Sequence, residues 1–399
     1  MALHNTPAPQ PTSGEVLTAL KSLQQWVESR QYAGFDPYDW LNSPALAFLW
    51  EKSRFSSSAL IQAGRRFGGV RLRRVLRVPP STNPKAVGLF MSGYCDVTRC
   101  GQEAAGQLNL LKRLLKRLRD ADESEFAWGY DWNFASIRGT VLPAFTANSI
   151  ATVFCADALL DVAELFADSD ALEMGLSAAR FCATRLNRSF ENSRELCFSY
   201  TPQNNTLIFN NSVLVGALLA RAGACTGNSE WLDVSIQTMR FLVSNQHSDG
   251  SWAYGRAPNQ QWTDGFHTGY NLSAMAAYRR YSSDTQFDHA MMRGYEFYKK
   301  HCFDSRGTPK YFHDRLYPID IHACSQAVLT FCDFIEHDPD ALERAKQIAA
   351  WTIQNMQSSE GSFYYQAHRV WTNRTPYMRW GQAWMFRSLA RLSAVLATS

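Results

Sequence analysis

The chain has 399 residues, 46% hydrophobic and 19% charged, a balance able to bury a large core. Its net charge of +4 is too small to imply a nucleic-acid partner. Nine cysteines include no close CxxC pair; Cys95 and Cys100 are nearest neighbours without a matching His/Cys pair downstream, so they read as structural thiols rather than a zinc site.

Length alone suggests two or three domains, but repeat-built folds exceed that measure. Residues 1–14 (MALHNTPAPQPTSG) are polar and Pro-rich and read as a flexible tail before one domain spanning 15–399. They carry no apolar signal core, and no run approaches 18 apolar residues, so the expectation is a soluble, reduced, cytoplasmic protein. An amphipathic helix follows over Glu15 to Ser29, with Val16, Leu20, Leu23, Trp26 and Val27 at helical spacing. After the turn-rich YAGFDPYDWLNSP, Pro44 opens an apolar helix behind Ser43 as N-cap.

Two basic stretches come next: six arginines within residues 65–77, and the amphipathic LLKRLLKRLR at 110–119. The plain reading is a solvated basic helix face. The sharper one is contact with an anionic inner-membrane surface, an assembly complex or a lipid-linked sugar.

From residue 102 onward a repeat emerges. Helices polar on one face appear near 102–119, 170–188, 229–245, 284–301 and 339–356. Each ends in an aromatic loop: WGYDW, CFSYTP, DGSWAYG, TPKYFHD and EGSFYYQ. Each loop leads into a second helix rich in small residues, starting near Thr146, Asn211, His267, Pro318 and Pro376. With the helices at 15–29 and after Pro44 added, the chain makes six helical hairpins. Closed on themselves they form an all-α (α/α)6 toroid, with small residues on the inner ring and the loops converging on one mouth.

Gln246-His-Ser-Asp-Gly-Ser-Trp252 resembles the QxxDGSW turn of terpene-cyclase and prenyltransferase toroids, and Gln357 to Phe363 is a degraded copy. It speaks to fold, because the DxDD, DDxxD and zinc residues of isoprenoid chemistry are missing. A longer resemblance, carried by FDPYDWLNSP (35–44), WGYDWNF (128–134), FSYTPQNN (198–205), the 249–270 segment and 307–328, is to a bacterial toroid family associated with surface-polysaccharide biosynthesis. It implies a glycan context. The architecture is also similar to that of sugar 2-epimerases and unsaturated-uronide hydrolases, whose catalytic residues do not align here.

Candidate chemistry gathers at two loop–helix junctions. One holds Trp262, Asp264, His267 and Tyr270; the other holds His313, Asp314, Arg315, Tyr317, Asp320 and His322. Both place ionisable groups at an inner-helix N-terminus, where the dipole acts on their charge. Asp264 and Asp320 read equally as N-caps, and His267 and His322 as core histidines. In the functional reading His267, His322, His313, Asp264, Asp320, Asp314 and Tyr377 supply acid/base groups for epimerisation, β-elimination or hydrolysis. Loop aromatics Trp128, Tyr130, Trp132, Tyr200, Tyr254, Tyr311 and Tyr364 suit sugar stacking. Asp131, Asn204, Asn210 and Asn211 suit hydroxyls, and Arg138, Lys310, Arg315 and Arg379 an acidic sugar. No GxGxxG, P-loop, HExxH or GxSxG occurs, and no cofactor is expected. The expectation is thus a cofactor-free enzyme acting on an acidic surface-polysaccharide glycan, epimerase or lyase before glycosidase. A non-catalytic glycan-binding scaffold and an isoprenoid-handling toroid are the alternatives.

Overall fold

Asn and Asp side chains start four helices at one end of the molecule. In the computed structural model, which describes residues 13–46, 48, 53–135 and 141–398, Asn83, Asn148, Asp264 and Asp320 each accept a backbone N–H from the first turn. The helices they open are α4 (Pro84–Arg99), α6 (Ser149–Phe166), α10 (Gly265–Ser282) and α12 (Ile321–Asp333). Together with α8 (Phe209–Thr226) and α14 (Trp384–Thr398) they form the inner ring. Neighbours pack in the order α4, α6, α8, α10, α12, α14, and α14 returns to α4, which closes the toroid. Close approach relies on small residues: a Cβ added at Gly88 would sit 2.8 Å from the Phe154 carbonyl oxygen.

The outer ring is α1 (Ser13–Glu28), α5 (Ala105–Arg117), α7 (Ser169–Thr184), α9 (Ser229–Ser244), α11 (Asp288–His301) and α13 (Ala341–Met356). Each inner helix packs on the outer helix that follows it, and the last inner helix, α14, takes α1 from the other end of the chain. The QxxDGSW turns stitch the ring. Gln246 Nε2 donates to Gly250 O and to Ala290 O of the next outer helix, both at 2.9 Å. Gln357 Nε2 repeats this with Gly361 O and with Ala19 O of α1, both at 3.0 Å. Gly250 and Gly361 sit at φ +93° and +96°, which their turns demand of glycine.

The first hairpin differs from the sequence expectation. Residues 44–46 form a turn, and the helix expected after Pro44 falls partly on residues outside those described. The inner helix that faces α6 and α14 is α4, while α2 (Arg54–Phe67) and α3 (Val70–Val75) belong to an insertion over the mouth. The basic stretches are partly committed. Arg73 is buried and pairs with Asp39 at 2.9 Å, while on α5 Lys112 reaches Asp168 and Asp170, and Lys116 lies 2.6 Å from Asp170. Burial pushes the Asp39 carboxyl up to about 7 against the pull of Arg73. The nine cysteines are all unpaired, and among the described residues no helix is long and apolar enough to cross a membrane.

Candidate active site

In these short loops two rings two positions apart take opposite sides, so the backbone departs from a regular strand, in which i and i+2 share a face. In Trp128-Gly-Tyr130 the indole turns outward and donates to Leu115 O of α5 at 2.9 Å, while Tyr130 borders the central cavity. Trp252-Ala-Tyr254 repeats the pattern, the indole on Leu242 O of α9 at 3.0 Å and Tyr254 facing inward. Phe198 and Tyr200 follow the same rule. Each loop is fixed by its neighbour: the Ser149, Phe209, Gly265 and Ile321 amides donate to the carbonyls of Tyr200, Tyr254, Tyr311 and Tyr365. Tyr200, Tyr254 and Tyr311 thereby reach one mouth, while Tyr365 stays buried against Tyr377.

That mouth opens a cavity of about 790 Å³, an adequate volume for a short oligosaccharide. One wall is a stack in which Tyr130 and Trp132 lie 4.6 Å apart at 6°, with Tyr38 5.8 Å beyond Trp132. A second stack, Tyr254 on Trp262 at 4.6 Å, stands on the opposite junction, and Trp262 is 39% exposed at the rim.

Between the stacks lie two imidazoles. His267 Nδ1 is 2.7 Å from Asp264 Oδ2, which also receives Trp262 Nε1–H, while Asp264 Oδ1 caps α10 through the His267 amide. Asp264 is almost fully buried, so its carboxylate fixes the proton of His267 on Nδ1 and leaves Nε2 free. His322 Nε2 meets Tyr270 Oη at 2.5 Å, and its Nδ1 has no partner. Burial first, then Lys85, Arg379 and His267, hold the His322 imidazole well below its usual range, so it stays neutral. Burial likewise raises Tyr270 well above the usual phenol value, which makes it the donor in that pair. Phe266 fixes the spacing, its ring 4.1 Å from His267 and 4.7 Å from His322.

Cations complete the lining. Arg379, in a π-helical turn at 378–383, makes a bidentate pair with Asp36 (2.8 and 3.1 Å) and lies 4.9 Å from the Trp132 ring. Arg65 of α2 sits 4.6 Å from the Tyr38 ring. Lys85, second residue of α4, lies at the floor with Nζ 4.3 Å from the Phe154 ring. Burial and the charges of Arg379 and Arg387 drive its ammonium well below the usual lysine range. Among the described residues no Asp or Glu borders the cavity, and no cluster of three His, Cys, Asp or Glu could hold a metal.

Of the sequence candidates, His267, His322, Tyr130, Trp132, Tyr200, Asn204, Asn210, Tyr254, Trp262, Tyr270, Tyr311 and Arg379 border this cavity. Asp264 stands directly behind His267. Asp320 lies off the cavity, buried and committed as a cap to the His322 amide, Trp380 Nε1 and Gln366 Nε2; burial raises it to about 6. His313 bonds the Thr263 carbonyl, and Lys310 spans the His301 and His313 carbonyls. Asp314 and Arg315 pair with each other at the exposed surface. Tyr377 is buried between Arg73 and Tyr365, and Trp128 packs beneath α5. Asp131 is held by Ser81 and Asn83, and Asn211 by the Phe198 and Ser199 carbonyls. Tyr317 packs half-buried on the core, and Tyr364 lies under Arg374. Arg138 falls outside the described residues.

Sequence reading missed Lys85, Tyr38 and Arg65. Asn83-Pro84, an N-cap followed by a proline at the first helical position, is the signal that would have located α4 and Lys85 at the mouth. Tyr38 and Arg65 reach the cavity only through the fold of the insertion and leave no local signal.

No family model matches the sequence, and no curated protein is similar to it. Solved structures are. The cellobiose 2-epimerase of Bacillus thermoamylovorans superposes with a TM-score of 0.63 at 12% identity, over 79% of this chain and 88% of that one. The unsaturated glucuronyl hydrolase of Streptococcus agalactiae gives 0.58 at 13%, over 96% and 93%. A family GH76 α-mannanase of Bacteroides thetaiotaomicron gives 0.56 at 12%, over 78% and 86%. Identities this low establish the toroid as a shared fold.

Proposed function

We propose that the chain is a carbohydrate-active enzyme that moves a proton at a sugar carbon, with His267 and His322 as its acid/base pair. The observation that carries this reading is a glycan-sized, aromatic cavity lined by two imidazoles and, among the described residues, by no carboxylate. His267, with Nδ1–H held by Asp264, offers the Nε2 lone pair as base. His322, neutral with Tyr270 Oη on its Nε2, carries its own proton on Nδ1 and gives it up as the Tyr270 proton passes to Nε2. One imidazole removes a proton from one face of a carbon and the other returns one to the opposite face; each contributes on the order of 10²–10⁴-fold.

Hydrolysis fits less well. It needs two carboxyl groups flanking the glycosidic bond. Asp264 and Asp320 are both withdrawn from the cavity and occupied by N–H donors. The solved epimerases and glycan hydrolases of the same fold support a sugar substrate, and the sequence resemblance to surface-polysaccharide toroids supports such a polysaccharide or its precursor as the source.

Solvent-exchange NMR tests the reading: a glycan panel incubated with the enzyme in heavy water should gain deuterium at one sugar carbon. Binding without exchange across the panel would favour the glycan-binding scaffold instead.

A further inference from the structure

Four cationic side chains are buried among the described residues: Arg73, Lys85, Arg221 and Arg379. A buried charge is costly unless a counter-charge meets it. Arg73 has Asp39 at 2.9 Å, Arg221 has Asp161 at 2.8 Å, and Arg379 has Asp36 at 2.8 Å. Among the described residues no carboxylate lies within ion-pair distance of Lys85. Asp36, the carboxylate that acts on it at longer range, is already spent on Arg379. Lys85 nonetheless borders the catalytic end of the cavity, 5.5 Å from the Tyr270 ring and 5.1 Å from Trp384, both of which pack on His322. It occupies the first turn of α4, where the helix dipole also favours an anion over a bare ammonium. At the rim Arg65 meets Gln62 and the Tyr38 ring, and among the described residues it has no carboxylate partner.

We propose that Lys85 seats the carboxylate of an acidic sugar, so that the proton moved by His267 and His322 is the one on the adjacent carbon, C5 of a hexuronate. This rests on the proton-transfer function above and names its substrate class. The base takes the C5 proton, and the electron pair spreads into the carboxylate, whose added negative charge the Lys85 ammonium stabilises. The second imidazole then returns a proton to the opposite face. One proton leaves and one arrives, so the inversion needs no oxidant or co-substrate.

Burial disfavours the charged form of this amine, and an anion beside it favours that form, so binding an anion draws a proton toward Lys85. Titration calorimetry of the full chain, in two buffers of different ionisation enthalpy, compares a hexuronate disaccharide with its carboxyl-reduced counterpart. The acidic sugar should bind roughly 10- to 100-fold tighter, with net proton uptake on binding. Lys85→Met should abolish the preference and the uptake and keep the affinity for the neutral sugar. Equal affinities in the wild-type protein, or uptake that persists in Lys85→Met, would overturn the proposal. So would tighter binding of a phosphorylated neutral sugar. The wild-type comparison decides even if the variant misfolds. A hexuronate that binds in this way but acquires no deuterium would sink the proton-transfer reading and leave the anion site standing.

Discussion

His267 Nδ1 and Asp264 Oδ2 lie 2.7 Å apart on the first turn of α10, and the other oxygen of the same carboxylate caps that helix. One side chain therefore sets both a helix start and a tautomer. Asp264→Asn keeps a good N-cap, so thermal stability should fall by only about 1 kcal/mol. The amide cannot accept from the indole and the imidazole while also capping, so His267 loses its fixed proton and its free Nε2. Turnover should drop roughly 10²–10⁴-fold with little change in KM. Unchanged turnover would remove His267 from the mechanism.

The two indoles Trp128 and Trp262 separate packing from binding. Trp128 is fully buried, with its N–H on Leu115 O. Trp128→Phe should lower stability by about 1–3 kcal/mol through the lost indole hydrogen bond and the volume it leaves, with glycan affinity unchanged. Trp262 is partly exposed and stacked on Tyr254 at the rim. Trp262→Ala should weaken glycan binding by about 3- to 10-fold at small cost in stability. Calorimetry and thermal melts on both variants check the contrast, and equal effects would contradict it.

The same two residues mark what the sequence made legible. Loop aromatics before small-residue helices announce the toroid and its mouth, because helix period and turn chemistry are local. Which aromatic faces the cavity depends on how each loop departs from a regular strand, which would put Trp128 and Tyr130 on one face, so the two read alike until the fold is known. Asp264 and Asp320 read alike as well, both caps in both views; only the neighbour at His267 Nδ1 distinguishes the first. Lys85 stayed hidden because its environment is assembled from α6, α10 and α14, far apart in the chain.

Asp36 and Arg379 tie the insertion over the mouth to the π-helical turn, with both side chains 4% exposed. Removing one partner leaves the other charge buried, so Arg379→Met should destabilise the fold by about 3–5 kcal/mol. Asp36→Asn should cost a comparable amount. The double variant should recover much of the loss, because the shared penalty is paired burial. Denaturant midpoints of the four proteins measure this coupling, and strict additivity would show that the two residues act independently.

His322 sets a pH dependence of stability whose sign follows from its environment. Its folded pKa lies well below the unfolded value of about 6.5. Between the two values the unfolded chain binds more protons, so the stability from keeping this imidazole neutral is full above pH ~6.5 and declines as pH falls, by up to ~1.4 kcal/mol per unit. Asp320 acts in the opposite direction. Its folded pKa of about 6 exceeds the usual carboxylate value of 3.8, so the native state binds more protons in that window and gains stability on acidification. His322→Gln removes the first effect and leaves the second. Melting temperatures of wild type and variant at about pH 7.5 and pH 5 should therefore converge as pH falls, with any deficit of the variant at pH 7.5 shrinking or reversing at pH 5. Carboxylates elsewhere titrate in both proteins and cancel in the difference. A gap that widens on acidification would mean that His322 is protonated in the native state, and its assignment as a neutral acid/base group would fall.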